Sequence, residues 1–186
     1  FPYTTLFRSG ADEGQQRTIL ERTLDLLGQI QPTNTPPEIG DRVHRLVRQT
    51  CGHADPYREA KEASTEQALA LYPRLRARVQ AADDPLDVAV RLGIAGNIID
   101  LGPDQAYDLW EVVERVLAQP FAIDDRPALY AALSETDRIL YLADNAGETV
   151  FDRLLIEALP LPVTYAVKGG PVLNDATRAD AQAAGV

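Results

Sequence analysis

The sequence predicts an α/β protein in which a helical N-terminal part precedes an α/β layer with parallel strands. Three observations predict it. Apolar residues before residue 134 recur at helical spacing, with no strand-like alternation. From Arg138 the pattern changes to two short β-prone runs, 138–143 and 163–168, each followed by a helical stripe. The run between them, 148–159, has helical spacing, and a strand–helix–strand unit is a parallel pair with a right-handed crossover.

Taken in order, Ile19, Leu20, Leu24, Leu27 and Ile30 fall on one stripe of a helix over 12–30. A loop over 31–37 leads to Thr35-Pro36-Pro37-Glu38, a helix start with Thr35 as N-cap and Pro36 in the first position. Ile39, Val43, Leu46 and Val47 carry that helix to Thr50. After a connector over 51–57, Asp55-Pro56 opens a helix expected to run to about Leu71, where Pro73 breaks or kinks it. Asp83-Asp84-Pro85 caps a helix containing Leu86, Val88, Ala89, Leu92 and Ile94. Leu109, Trp110, Val112, Val113, Val116 and Leu117 form another, and 127–133 a short last one. In the α/β part, strands over 138–143 and 163–168 alternate with helices over 148–159 and 176–184. No fixed-period repeat is present, which excludes a solenoid.

The domain boundaries that follow are 10–134 for the helical domain and 135–186 for the α/β domain. Residues 1–9 have neither a Met start nor periodicity, resemble translated adapter sequence, and are read as a non-native leader. The chain stops just after Gly185, a helix C-cap, so the α/β domain is expected to be incomplete.

Bulk properties narrow the function. The net charge of −10 and pI near 4.6 repel phosphate backbones and anionic lipid, so neither nucleic-acid nor membrane binding is expected. The densest basic run, 74–78, reads as a solvated helix face. Cys51 is the one cysteine, which excludes an internal disulfide and fits a reducing, cytoplasmic location. No apolar run approaches the roughly 18 residues of a membrane span.

Chemistry concentrates where strands hand over to helices. In open α/β sheets ligands sit at the C-terminal ends of strands, and a new helix offers free N–H groups to an anion. The first junction carries Asp144, Asn145 and Glu148; the second carries Asn174 and Asp175. If the strands are parallel, both loops emerge at one edge. Two carboxylates and an amide oxygen there form a hard oxygen set suited to Mg²⁺ or Mn²⁺. Such an ion polarises a phosphoryl group and acidifies water, and Lys168 at the end of the second strand would balance phosphate charge. The plainer alternative is that these acids are helix caps and Gly169-Gly170-Pro171 an ordinary turn.

A third segment, 96–102, places Asn97 and Asp100 within an apolar run. It is either a helix end capped by Asn97 or Gly102, or a segment facing the sheet edge whose polar groups add ligands or contacts to the ligands. His44 and His53 lack metal-type spacing, and Cys51-Gly52-His53 is too isolated for a zinc site. Asp55-Pro56-Tyr57 and Lys61 read as helix-start and helix-face residues, though they could line a cleft. Trp110 reads as core.

Three motifs stand in order: 96–100 (Gly-Asn-Ile-Ile-Asp), 144–148 (Asp-Asn-Ala-Gly-Glu) and 168–177 (Lys-Gly-Gly-Pro-Val-Leu-Asn-Asp-Ala-Thr). Together they resemble the damage-control phosphatases, and 55–61 (Asp-Pro-Tyr-Arg-Glu-Ala-Lys) resembles the prokaryotic stand-alone branch of that family. The likeness runs from about residue 12 to the end. It implies a helical domain on a Rossmann-like three-layer α/β domain, and hydrolysis of small phosphorylated metabolites with a divalent metal: Mg, Mn, Co or Ni. It implies Asp144, Asn145 and Asp175 as metal ligands, with Asp144 also orienting or deprotonating the attacking water. Asn97, Glu148, Lys168 and Asn174 are implied on the substrate side, and Asp100 behind the ligands. Activity is expected of the whole protein rather than of this stretch alone.

Two other classes remain open on the residues themselves. A Rossmann-type S-adenosylmethionine or nucleotide enzyme fits the layer order, but the first loop has one glycine where a dinucleotide fingerprint has three. A non-catalytic binding module fits if the acidic loops are only caps.

Overall fold

The computed structural model describes residues 11–99 and 109–186. Residues 1–9, read as a leader, and Asp100 with Gly102 lie outside the described residues. The fold is a mostly helical α/β arrangement: among the described residues, eight helices and one two-stranded parallel sheet. The helices are α1 (Glu13–Leu27), α2 (Pro36–Cys51), α3 (Arg58–Gln80), α4 (Pro85–Ile99), α5 (Leu109–Ala118), α6 (Arg126–Ser134), α7 (Thr149–Ala158) and α8 (Arg178–Ala184). Strands β1 (Ile139–Leu142) and β2 (Val163–Ala166) flank α7 in sequence. No described helix is long and apolar enough to cross a membrane.

The described residues form two compact units. One runs to Ala60 and takes in Gly170–Asn174; the other is Lys61–Gly169 with Asp175–Val186.

In the first unit Asp12 caps α1, accepting the Gln15 N–H at 2.8 Å, and the Glu38 carboxylate accepts the Thr35 N–H at 2.8 Å to open α2. Gly52 closes α2 in the left-handed region at φ +69°, where a side chain would be strained. Ala11, Ile19, Val47 and Cys51 form the core. Of the stripe expected on α1, Ile19 is buried while Leu20, Leu24 and Leu27 are largely exposed. Periodicity identifies an apolar face; whether it is covered depends on what packs there, and of this stripe Ile19 is the member that joins Val47 and Cys51 in the core cluster.

His44 is buried on α2 with no hydrogen-bond partner for Nδ1, and its ring meets Tyr57 edge-on at 6.2 Å. Burial holds the imidazole below the ordinary histidine range; Arg48 adds to the depression and Asp41 opposes it. The folded state therefore favours neutral His44, and the unfolded chain takes up the proton first as pH falls below about 6.5. Stability contributed by neutral His44 should be full above that pH and decline below it. Urea denaturation between about pH 7.5 and 5 should show this decline in the wild type and a shallower one in His44→Phe.

In the second unit the largest fully buried side chains include Phe151, Leu75, Leu92, Leu154, Val113 and Val150. Helix α3 continues through Pro73 to Gln80, so of the break or kink expected there the break does not occur. Proline inside a helix costs about 3 kcal/mol. Leu75 and Val79 beyond it are buried in the same cluster as Ala68 before it, each such burial contributing roughly 1.5–3 kcal/mol. Packing on both sides thus outweighs the lost backbone bond, while Pro73 itself is exposed.

The strands pair in parallel with Tyr141 opposite Tyr165 and Leu142 opposite Ala166, as the strand–helix–strand spacing predicts. Along β1, Ile139 and Tyr141 are partly buried, whereas Leu140 and Leu142 are exposed. Helix α4 packs on α7 at Gly96. A Cβ added there would lie 3.0 Å from Cβ and Cγ of Phe151. This close approach accounts for the glycine in the 96–100 motif. Gly96→Ala should destabilise the protein by about 1–3 kcal/mol, read as a lower urea midpoint with unchanged slope.

Candidate active site

The site grows from the ends of the two strands. Beyond Leu142 the ladder continues for one more bond, from Ala143 N–H to Ala166 O at 2.9 Å. The Asp144 carbonyl then accepts the Ala176 N–H at 2.7 Å, and Asn145 pairs with Asp175 in an antiparallel bridge. Lys168 N–H donates to Ala176 O at 2.9 Å, and Lys168 bridges to Thr177 in parallel register. Backbone bonds thus knit residues 144–145, 168 and 175–177 into one edge. Asp144 and Asp175, 31 positions apart, become neighbours.

Side chains complete that edge. Asp144 is exposed; Asn145 and Asp175 are half-buried. The Asn145 amide donates through Nδ2 to Glu148 Oε1 at 2.6 Å, and Glu148 is buried. The Glu148 carbonyl accepts the N–H groups of Phe151 (2.8 Å) and Asp152 (2.9 Å), so the residue that holds Asn145 also opens α7. Thr149 Oγ1 donates to Ala146 O at 2.6 Å in the same turn. Lys168 Nζ lies 3.4 Å from Asp175 Oδ2. Burial raises the Asp175 carboxyl above its ordinary range; Lys168 opposes this, the Asp144 charge adds to it, and Lys61 opposes it more weakly.

Of the remaining expected residues, Asn97 is exposed near the end of α4. Asn174 belongs to the first unit, in the short segment whose Pro171 carbonyl accepts from Arg48 Nη1 at 2.8 Å. Asp100 lies outside the described residues. Among the described residues no group of three or more His, Cys, Asp or Glu side chains is arranged to hold a metal ion. The set brought together here has two carboxylates and an amide.

Lys61 proves to be more than a helix-face residue. Its side chain is 2% exposed and its Nζ is 2.9 Å from Asp180 Oδ2. The same oxygen accepts the Thr177 N–H at 2.8 Å and Thr177 Oγ1 at 2.5 Å. Burial works to raise the Asp180 carboxyl, but the bonds from Thr177 and Lys61 outweigh it and leave it below its ordinary range. This lock fixes the start of α8 directly after Asp175. The sequence signal was the Thr177-x-x-Asp180 spacing of a capping box; nothing in it identified Lys61 as the partner.

A family model for the damage-control phosphatase ARMT1-like domain matches residues 4–185, and the chain belongs to that family. Among curated relatives, it is 31% identical to a damage-control phosphatase of Archaeoglobus fulgidus, covering 94% of this chain and 63% of that protein. It is 34% identical to a damage-control phosphatase of Pyrococcus horikoshii, covering 87% and 57%. An uncharacterized protein of Methanocaldococcus jannaschii is 32% identical, covering 93% and 60%. The crystal structure of a DUF89 family protein from Pyrococcus horikoshii superposes with a TM-score of 0.82 at 28% identity, covering 97% of this chain and 65% of that one. The chain therefore spans about three fifths of the length of the curated relatives it matches.

Lys61→Met leaves the largely buried Asp180 carboxylate, 12% exposed, without its cation. It should lower the unfolding free energy by about 3 kcal/mol in urea titrations, and adding Asp180→Asn should restore part of the loss. The Asp180 carboxyl is depressed in the folded state, so its contribution is present above about pH 4 and disappears as pH falls through the lower folded value.

Proposed function

We propose that this chain is the metal-binding part of a divalent-metal-dependent phosphatase acting on small phosphorylated metabolites. The observation that carries the reading is the backbone closure between the two loops, Ala176 N–H to Asp144 O at 2.7 Å, with the Asn145–Asp175 bridge beside it. It gathers two carboxylates and an amide at the C-terminal ends of parallel strands, where α/β proteins bind ligands. Family membership and two relatives named damage-control phosphatase support the same reading.

The residues fit a hard divalent cation. Asp144 raises the Asp175 carboxyl, so the edge carries mutual repulsion that a cation relieves. Asp144, Asn145 and Asp175 would hold the ion; when bound, it supplies electrophilic polarisation of a phosphoryl oxygen and acidification of water. Asp144, the exposed carboxylate, is placed to orient a water or accept its proton. Glu148 takes the Nδ2 hydrogen of Asn145, which fixes the amide so that its oxygen is the end turned away from Glu148. Lys168 neutralises Asp175 and, exposed at the edge, is suited to meet a phosphate oxygen. Mg, Mn, Co and Ni are all compatible with such oxygen donors. Asn97, Asn174 and Asp100 stay in the proposal as substrate-side or supporting residues on the family resemblance alone.

We read the sheet as the start of a Rossmann-like three-layer domain over 135–186, following a helical domain over 10–134. The exposed Leu140 and Leu142, on the face of β1 opposite Tyr141, are suited to a further layer.

The test is hydrolysis of p-nitrophenyl phosphate and a panel of sugar phosphates, with and without each divalent metal. Turnover should require metal and fall by about two orders of magnitude or more in Asp144→Ala and Asp175→Ala. Metal-independent turnover, or wild-type rates in Asp144→Ala, would sink the proposal.

A further inference from the structure

Directly behind the acidic edge lies a second carboxylate that the proposed chemistry does not use. Asp152, in the first turn of α7, is 4% exposed. Its two oxygens accept from two phenols: Tyr141 donates to Oδ1 at 2.5 Å and Tyr165 to Oδ2 at 2.6 Å. These tyrosines are direct partners across the parallel strands, with ring centroids 5.4 Å apart. One side chain of α7 therefore grips both strands at matched positions. Three residues beyond Tyr141 is Asp144; three residues beyond Tyr165 is Lys168. The Asp152 N–H also bonds to the carbonyl of Glu148, the residue that holds Asn145.

We infer that Asp152, gripping Tyr141 and Tyr165, is a positioning residue that sets the spacing between the two metal-binding loops. The inference rests on the metal-binding reading above. A buried carboxylate is a costly way to join a helix to a sheet, since apolar side chains of similar volume usually do so as well or better. What the carboxylate adds is geometry: two short, directional bonds fix both strand ends relative to the start of α7. Leucine or phenylalanine contacts would tolerate sliding. Asp152 also feels the edge it supports. Burial raises its carboxyl, the two tyrosine bonds oppose this, and the charge of Asp144 adds to the rise.

The experiment measures Mn²⁺ affinity of the 186-residue chain by calorimetry, well below the melting temperature of each variant. The variants are Tyr141→Phe, Tyr165→Phe and Asp152→Asn. Leu75→Ala is the control, because it removes packing from the core cluster of the same unit, to which Asp152, Tyr141 and Tyr165 do not belong. Each Tyr→Phe change should raise the Mn²⁺ dissociation constant about 3–10-fold, and Asp152→Asn about 10–100-fold, as removal of groups that orient ligands does elsewhere. Leu75→Ala should melt several degrees lower yet bind Mn²⁺ like the wild type. The phenylalanine variants keep the test decisive should Asp152→Asn not fold. If all clamp variants bind within about twofold of wild type, or Leu75→Ala weakens binding equally, the inference is overturned and the metal reading stands. If the wild type binds no Mn²⁺, both fall together.

Discussion

One hydrogen bond closes the gap between the two chemical halves of this chain: the Ala176 N–H on the Asp144 carbonyl, at 2.7 Å. It extends the parallel ladder past the last residues of the strands. Its consequence is that Asn145 and Asp175 face each other as a bridged pair, with Lys168 bonded to the next residue along. A single backbone bond contributes about 1 kcal/mol to stability, so it cannot hold the loops together by strength alone. It holds because its neighbours are fixed independently. The Tyr141–Asp152–Tyr165 grip fixes the strand ends, and the Lys61–Asp180–Thr177 lock fixes the start of α8.

Those two devices share a physical logic. Each withdraws a carboxylate from water, fully for Asp152 and partly for Asp180, and gives it donors: two phenols for Asp152, an ammonium, a hydroxyl and an amide for Asp180. Each also joins different elements: Asp152 ties α7 to the strands on either side of it, and Asp180 ties α8 to α3, 119 positions away. Around them the apolar core does the non-specific work. Helix α4 comes close to α7 because Gly96 has no side chain to hold Phe151 away. The core brings helices and sheet together, and the buried polar groups select among the ways they could slide.

The sequence made some of this visible and concealed the rest for identifiable reasons. The strand–helix–strand–helix order and the parallel pairing were legible because two short β-prone runs bracket a helical stripe. The convergence of the two loops followed from that pairing. Pro73 does not end its helix, although proline locally disfavours one, because Leu75 and Val79 are buried further along. The α1 stripe misled, since apolar periodicity at Leu20, Leu24 and Leu27 does not ensure a covering partner. Lys61 read as a helix-face residue that could line a cleft, and nothing in the spacing singled out Asp152. Their roles depend on side-chain partners contributed by other elements, which no local spacing encodes.

On the proposed reading, the charge arrangement gives this acidic chain a need for a cation before a phosphate ester. The chain carries a net charge of −10, and two of its carboxylates, Asp144 and Asp175, share this edge. The two lysines nearby each face a carboxylate, Lys61 facing Asp180 and Lys168 facing Asp175, so neither pair contributes net positive charge. Left so, the edge repels a phosphoryl group. A divalent ion between the loops would neutralise both edge carboxylates and release Lys168 from Asp175. The lysine could then turn to the anion, which is the role the proposed mechanism gives it. On that reading the same carboxylate repulsion that makes the edge hostile to substrate makes it hospitable to metal. On the proposed reading the cation would bind before the phosphate.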